Sequence, residues 1–305
     1  MYMTEQIPIP GGILSYDILG QSHASCAGNG TLCIVSYRGD AEEIVIPAQI
    51  EGRTVTAVGK KAFFGNRYLR SAKLPHTIEV VGDWAFSGCR MLHKIEFPKK
   101  EISFGRHVFQ KSDKLQEILL TGEDKGFASL LAVAVTVLEA EYLLSPFQVG
   151  SDSWYQSVDA RILAFLKEPE ESILKDLVYC AEEDMGAKQE ACLRKHACRK
   201  ANVAFLRLLH PAKMTTVMKQ HLTAYLRERT KGSTDEAAWE ALKACPGNKL
   251  SYCDKLYEIG GISEENIHDA LDDLGEDNIE LKAYLLQKWQ DRQQEAGIWT
   301  ALDWE

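Results

Sequence analysis

Gly59, Gly82 and Gly105 stand 23 residues apart, and four other columns keep the same step: Phe63/Phe86/Phe109, Leu69/Leu92/Leu115, Ala72/Ile95/Ile118 and Leu74/Phe97/Leu120. Ala62 and Ala85 match as well, with Val108 in the third place. Neither a helix nor a hairpin produces so long a period. A fixed step with apolar residues at set places is the mark of stacked coils, each too small to bury its own apolar edge.

One period, VGDWAFSGCRMLHKIEFP (81–98), shows how a coil is built. In LHKIEFP, Leu92, Ile95 and Phe97 face inward, whereas Lys94 and Glu96 alternate outward as a short strand requires. Pro98 ends the strand by removing a ladder donor. GDWAF then turns the chain, its Gly supplying backbone freedom and its aromatic filling the space between coils. Val81, Ala85 and Phe86 join the core on this reading. Cys89 fills a packing position rather than a reactive one.

The stretch IVIPAQIEGRTVTAVGKKAFFGNRYLRSAKLP, followed by IEVVGDWAFSGCRMLHKIEFP, resembles the BspA-like leucine-rich repeats common in bacteria. The resemblance covers roughly residues 12–121. Ile46-Pro47 to Leu74-Pro75 spans 28 residues rather than 23, and the extra length holds EGRTV, which matches the family's longer opening coil. The third copy departs from the pattern: Val108 replaces Ala, no Cys follows Phe109, and Thr121 replaces Pro. That decay marks a terminal coil. The resemblance implies a repeat solenoid and says nothing of the remaining residues.

At 305 residues the chain has room for two domains. A net charge of −9 argues against nucleic acid as the main partner. The opening MYMTEQIPIPGG lacks a basic region and an apolar run, so no signal peptide is read there. With that opening, eight scattered Cys and no CxxC pair suit a reducing interior, and the expected location is cytoplasmic. Cell-surface display or secretion is the alternative if a leader has been removed. The most apolar run, Phe127 to Leu144, offers 12 uncharged residues before Glu139, short of a membrane span, and reads as a buried helix.

ILSYDIL and TLCIVSY, joined by GQSHASCAGNG, form an N-terminal hairpin that covers the open end of the solenoid. TGEDKG (121–126) is the connecting loop, and the apolar helix after it caps the other end. Beyond it the pattern is helical. Pro169 precedes EESILKDLVYCAEE, Pro211 starts AKMTTVMKQHLTAYLRER, and Ser233 with Glu236 makes a capping box before AAWEALKAC. ISEENIHDALDDLG and a following helix that ends at Gly297 form a pair. ILAFL, LTAYL and LKAYL echo one another at spacings of 60 and 59, which leaves open whether this half is helical-hairpin repeats or an irregular bundle.

Candidate chemistry is sparse. Cys192 and His196 are i, i+4 on one helix face, but Cys198 projects elsewhere, so partly buried thiols and a surface His are preferred to a metal site. No Cys/His trio, P-loop, GxGxxG, GxSxG or HExxH is present. From Leu193 to Lys231 ten Lys/Arg stand against Glu228 alone, and from Tyr257 to Leu281 nine acids stand without a base. The basic block reads first as solvated helix faces partly neutralised by the acidic block. A surface for an acidic protein, or for nucleic acid or anionic lipid, is the competing reading. The outward strand positions form two columns, Glu43, Ser71, Lys94, Glu117 and Val45, Lys73, Glu96, Leu119. They make either a protein-binding face with two exposed apolar residues or a ladder whose charges merely pair.

The expected fold class is thus α+β. Residues 1–122 form a short right-handed leucine-rich repeat solenoid with a hairpin cap, and residues 123–305 an all-helical domain. The expected function is a non-enzymatic protein–protein interaction module, bacterial, with a protein partner, no nucleic acid, no membrane span, no metal and no cofactor. The alternative gives the helical half a ligand-, metal- or enzyme-type function, with the repeats as a targeting arm.

Overall fold

A computed structural model of the chain describes residues 4–19, 30–122, 127–169, 185–245, 247–276 and 278–302. Most of the loop GQSHASCAGNG, residues 123–126 of TGEDKG and the helix expected after Pro169 lie outside the described residues.

The 23-residue period becomes two parallel ladders. The first joins β4 (Glu43–Val45), β7 (Ser71–Lys73), β9 (Lys94–Pro98) and β11 (Glu117–Thr121) in the order β11-β9-β7-β4. Its register sets Glu43 beside Ser71, Ser71 beside Lys94 and Lys94 beside Glu117, each rung one period from the next along the last three strands. The second joins β6 (Arg53–Val58), β8 (Val80–Val81) and β10 (Ser103–Phe104). The opening coil's extra residues are a small antiparallel hairpin, β5 (Gln49–Ile50) against β6, turned at Glu51 and Gly52. Both turn residues have positive φ, 50° and 77°, the combination that twists a two-residue hairpin correctly.

The N-terminal strands β1 (Glu5–Ile9), β2 (Gly12–Leu19) and β3 (Thr31–Gly39) form an antiparallel meander. β3 pairs in parallel with β6, so the meander extends the second ladder. Tyr37 ties it to the first coil: its N–H donates to the Ala62 carbonyl at 2.9 Å and its hydroxyl to the Gly11 carbonyl at 2.8 Å. Its ring lies 5.6 Å from Phe63, adding a fourth member to the aromatic column, where Phe63/Phe86 and Phe86/Phe109 stack at 4.8 and 5.9 Å. Val81, Ala85, Phe86, Leu92, Ile95 and Phe97 are all fully buried, as the coil reading requires.

The glycine column has a different cause from the one its sequence suggests. Gly59, Gly82 and Gly105 are not in the left-handed region; a Cβ on Gly82 would lie 2.6 Å from Lys60 N and 2.8 Å from Gly59 C of the preceding coil. Close approach of backbones, not conformational freedom, demands glycine there. Two residues on, Lys61, Trp84 and His107 turn the chain at φ of 62°, 54° and 58°, bearing side chains in a region that normally favours Gly.

Contacts divide the chain into two compact units, Met1–Arg161 and Ile162–Glu305. The repeat pattern ends near residue 122, but the first unit continues further. It includes α1 (Ala128–Thr136), which packs on β11. The apolar run is therefore a helix only to Thr136. Val137 and Leu138 N–H both close on the Val133 carbonyl, Glu139 turns at φ 52°, and Glu141–Leu143 is a separate short turn. α2 spans Asp152–Lys167, and Trp154 donates from its indole to the Leu143 carbonyl at 2.9 Å.

In the second unit α3 (Met185–Leu209) packs against α4 (Thr216–Arg227), α5 (Ala237–Ala244) and α6 (Lys249–Glu258), whereas α7 (Ile267–Asp273) and α6 both meet α8 (Ile279–Leu302). Phe205 and Tyr252 stack at 4.2 Å in its core. Three boundaries differ from expectation. α4 starts at Thr216, because the Thr215 hydroxyl caps it by accepting from Met218 N at 3.1 Å. The Ser233/Glu236 capping box does not form; Glu236 takes the Gly232 N–H at 3.1 Å and the Lys231 ammonium at 3.3 Å instead. α8 runs through Gly297, whose single missing Cβ does not stop a long helix. The sequence echoes fall on α2, α4 and α8, with α3 and residues 170–184 between the first two but three short helices between the last two.

Candidate functional site

The outward columns are arranged as the register requires, one on each alternate residue of four parallel strands. Glu43 and Glu117 are exposed, and Ser71 and Lys94 are half-buried between them. In the second column Val45 is 68% exposed and Lys73 is open to solvent. Leu119 was expected to be exposed and is not: it is only 8% exposed, on the strand against which α1 packs. The face thus offers one exposed apolar residue, not two.

Charge on this face is partly paired along the ladder. Lys73 Nζ lies 2.9 Å from Glu96 Oε1, and the Thr121 hydroxyl donates to the same oxygen at 3.0 Å. Burial pushes the Glu96 carboxyl up, but these two hydrogen bonds and the charges of Lys73 and Lys94 outweigh it and hold the group below the usual range. Thr121, where the repeat pattern would place Pro, supplies a side chain that sequence reading did not include. Glu42 pairs with Arg70 at 3.2 Å beside the first rung.

Cys89 is fully buried, and its Sγ donates to the Phe63 carbonyl of the preceding coil at 3.1 Å. Burial pushes this thiol up to about 12. It is a packing residue with a hydrogen bond, and its environment gives no thiolate.

In the helical unit Cys192 is half-buried, and His196 is buried rather than on the surface, at 6% exposure with its ring edge-on to Phe165 at 5.5 Å. No three His, Cys, Asp or Glu side chains come together to hold a metal among the described residues. Burial, with Glu240 and Asp235 adding, raises the Cys198 thiol. Cys198 lines an open groove of about 540 Å³ between α3 and α5, with Glu190, Arg194, Lys195 and Glu240.

The basic block is solvated for the larger part, with Arg194, Lys195, Arg199, Lys213, Lys219 and Arg227 exposed, but two of its cations are not. Lys200 and Arg207 are 1% and 0% exposed, Lys200 donating to the Glu168 carbonyl and Arg207 to the carbonyls of His210 and Ala212. Arg227 Nε donates to the Ile259 carbonyl at 2.7 Å, and Arg229 pairs with Asp235 at 3.0 Å. Lys231 reaches Asp273 of the acidic block at 3.5 Å, and that carboxylate also accepts from Lys243 and from the Trp239 indole, both at 2.7 Å. Lys200, Arg207, Arg227, Arg229 and Lys231 thus act as struts that close carbonyls or pair with acids. Among the described residues no helix is long and apolar enough to cross a membrane.

Coils in register, an aromatic column and parallel ladders at a 23-residue step define the first unit's architecture. Residues 37–128 match the family described as "BspA type Leucine rich repeat region", in six copies. This stretch is a leucine-rich repeat solenoid of that type. Solved structures similar to the chain include a leucine rich repeat protein of T. pallidum, at 29% identity and TM-score 0.33, over 38% of this chain and 50% of that one. Another is a leucine rich cell surface protein from Faecalibacterium prausnitzii, at 22% identity and TM-score 0.30, over 39% of this chain and 32% of that one. A third is a leucine-rich repeat protein from Bacteroides capillosus, at 18% identity and TM-score 0.27, over 38% of this chain and 99% of that one. The match spans half the length of the T. pallidum chain and about a third of the F. prausnitzii chain. No curated protein matches the sequence.

Proposed function

We propose that the chain is a non-enzymatic protein-interaction module of a bacterial cell, with binding assigned to residues 1–122. The partner would meet the outer side of the sheet β11-β9-β7-β4. The observation that carries this reading is the pair of outward columns, Glu43, Ser71, Lys94, Glu117 and Val45, Lys73, Glu96, held at fixed register with Val45 exposed. Mixed charge around one apolar residue suits recognition by complementary charge with a small desolvated centre. Leu119 is left out because it is buried. The location proposed is the cytoplasm. Cys89, Cys192, Cys198, Cys245 and Cys253 are free thiols, which suits a reducing compartment.

The test is affinity capture from cell extract with the whole chain, its Lys73→Glu/Lys94→Glu variant, and a Lys219→Glu control on α4. The face variant should lose the captured protein while the control keeps it. Equal capture by all three would refute the assignment to this face.

A further inference from the structure

The first ladder ends differently at its two edges. β11 has α1 packed against it, whereas among the described residues β4 pairs only with β7. Backbone groups of successive strand residues point to opposite sides, and the even residues of this segment face β7: Ser71 N donates to Glu42 O at 2.9 Å and Ile46 N to Lys73 O at 2.9 Å. The N–H and C=O of Glu43 and Val45 therefore point to the open edge, and both residues are exposed. Pro47 removes the next odd donor, so the edge is one short set of four groups.

Side chains state what would fit there. Lys73 meets Glu96 at 2.9 Å across one rung, and Lys94 lies opposite Glu117 on another. Glu43 is opposite Ser71, which cannot neutralise it, and no ion pair engages Glu43 among the described residues. A strand added in parallel, as every pair in this sheet is, would set one residue beside Glu43 and, two residues on, another beside Val45. Opposite charge is favoured at the first place and an apolar, β-branched residue at the second.

We propose that the β4 edge takes up an extended segment of a partner protein carrying the pattern Lys/Arg-x-Val/Ile, which adds a fifth strand to the sheet. This deepens the interaction reading above and rests on it, adding to the outer face a contact along its backbone edge.

The test uses the full chain and two blocked nonapeptides with central Lys-Ala-Val or Glu-Ala-Val, followed by fluorescence anisotropy and by hydrogen exchange at the Glu43 and Val45 amides. The Lys peptide should bind better by about threefold or more and should slow exchange at both amides. Glu43→Lys should reverse that preference. Val45→Pro removes an edge donor without touching the bonds to β7, and should weaken the Lys peptide by about threefold to tenfold. If Val45→Pro fails to fold, the Glu43→Lys reversal decides alone. Equal binding of the two peptides, no binding of either, or a preference that Glu43→Lys leaves unchanged would overturn the proposal. If instead Lys73→Glu/Lys94→Glu abolishes peptide binding while the edge variants do not, the outer face survives as the binding surface and the edge is excluded.

Discussion

Replacing Gly82 by Ala tests what sets the spacing between coils. The added Cβ would fall 2.6 Å from Lys60 N and 2.8 Å from Gly59 C, both main-chain atoms. Ordinary contact lies near 3.5–4.0 Å, so the coils must part locally by about 1 Å. Neither atom belongs to a side chain that can swing away. The same corner holds the bonds Gly82 N to Val58 O at 2.7 Å and Lys61 N to Asp83 O at 3.0 Å, which such a shift would stretch. Overpacking of this kind costs about 1–3 kcal/mol, and a weakened hydrogen bond adds about 1 kcal/mol, giving about 2–4 kcal/mol together. With a urea dependence of about 2 kcal/mol per molar, the midpoint should fall by about 1–2 M. Two compact units call for two transitions, and only that of the repeat unit should move. Gly52→Ala is the control: φ is 77°, nothing lies within 4 Å, and only backbone strain of about 1–2 kcal/mol applies. Urea melts followed by circular dichroism would compare them. If Gly82→Ala is no more damaging than Gly52→Ala, the close-approach argument is wrong.

Three further outcomes follow from the same contacts. Lys111 occupies the position held by Gly65 and Gly88 in the earlier coils and has φ 60°, so Lys111→Gly should raise stability by up to about 1 kcal/mol, read as a higher urea midpoint of the repeat transition. The Cys89 thiol, pushed up to about 12, should resist maleimide at pH 8 in the folded chain while partly exposed Cys192 and Cys245 react, as peptide mass mapping would show. Asp273 is held near 2, first by the Lys243 hydrogen bond and then by the Trp239 indole. Because its folded value is depressed below the unfolded value of about 3.9, its stabilisation is present above that value and is lost as pH falls towards 2. Asp273→Asn should cost about 1–2 kcal/mol at pH 7 and flatten the melting-temperature profile between pH 4 and 2.

The coil architecture was legible because side chains repeat with the backbone. Once Phe63, Phe86 and Phe109 share a step, stacking and register follow, and the structure has both. Tyr37 was missed as the column's first member because it arrives from an antiparallel strand, outside the period. The glycine column was found but misexplained: a sequence shows that a Cβ is absent, not which atom forbids it. Leu119 alternates outward with Val45, and the pattern could not show that α1 would pack against its strand. In the helical unit local composition could not separate exposed cations from buried ones. A run of cations looks the same whether it faces water or closes a neighbour's carbonyl groups, and Lys200, Arg207 and Arg227 do the second.

The main-chain contact at Gly82 separates two things that most interfaces keep tied together. The spacing between coils is held at the corner after β8, in the second ladder, by backbone touching backbone, and the outward residues of the first ladder have no part in that contact. Substitutions at Glu43, Lys73, Lys94 or Glu117 change the charges presented without changing where they stand. The face is in effect a ruled grid with replaceable markings, about 4.8 Å between lines. A new partner could be matched by rewriting four or five side chains while the coils beneath remain as they are.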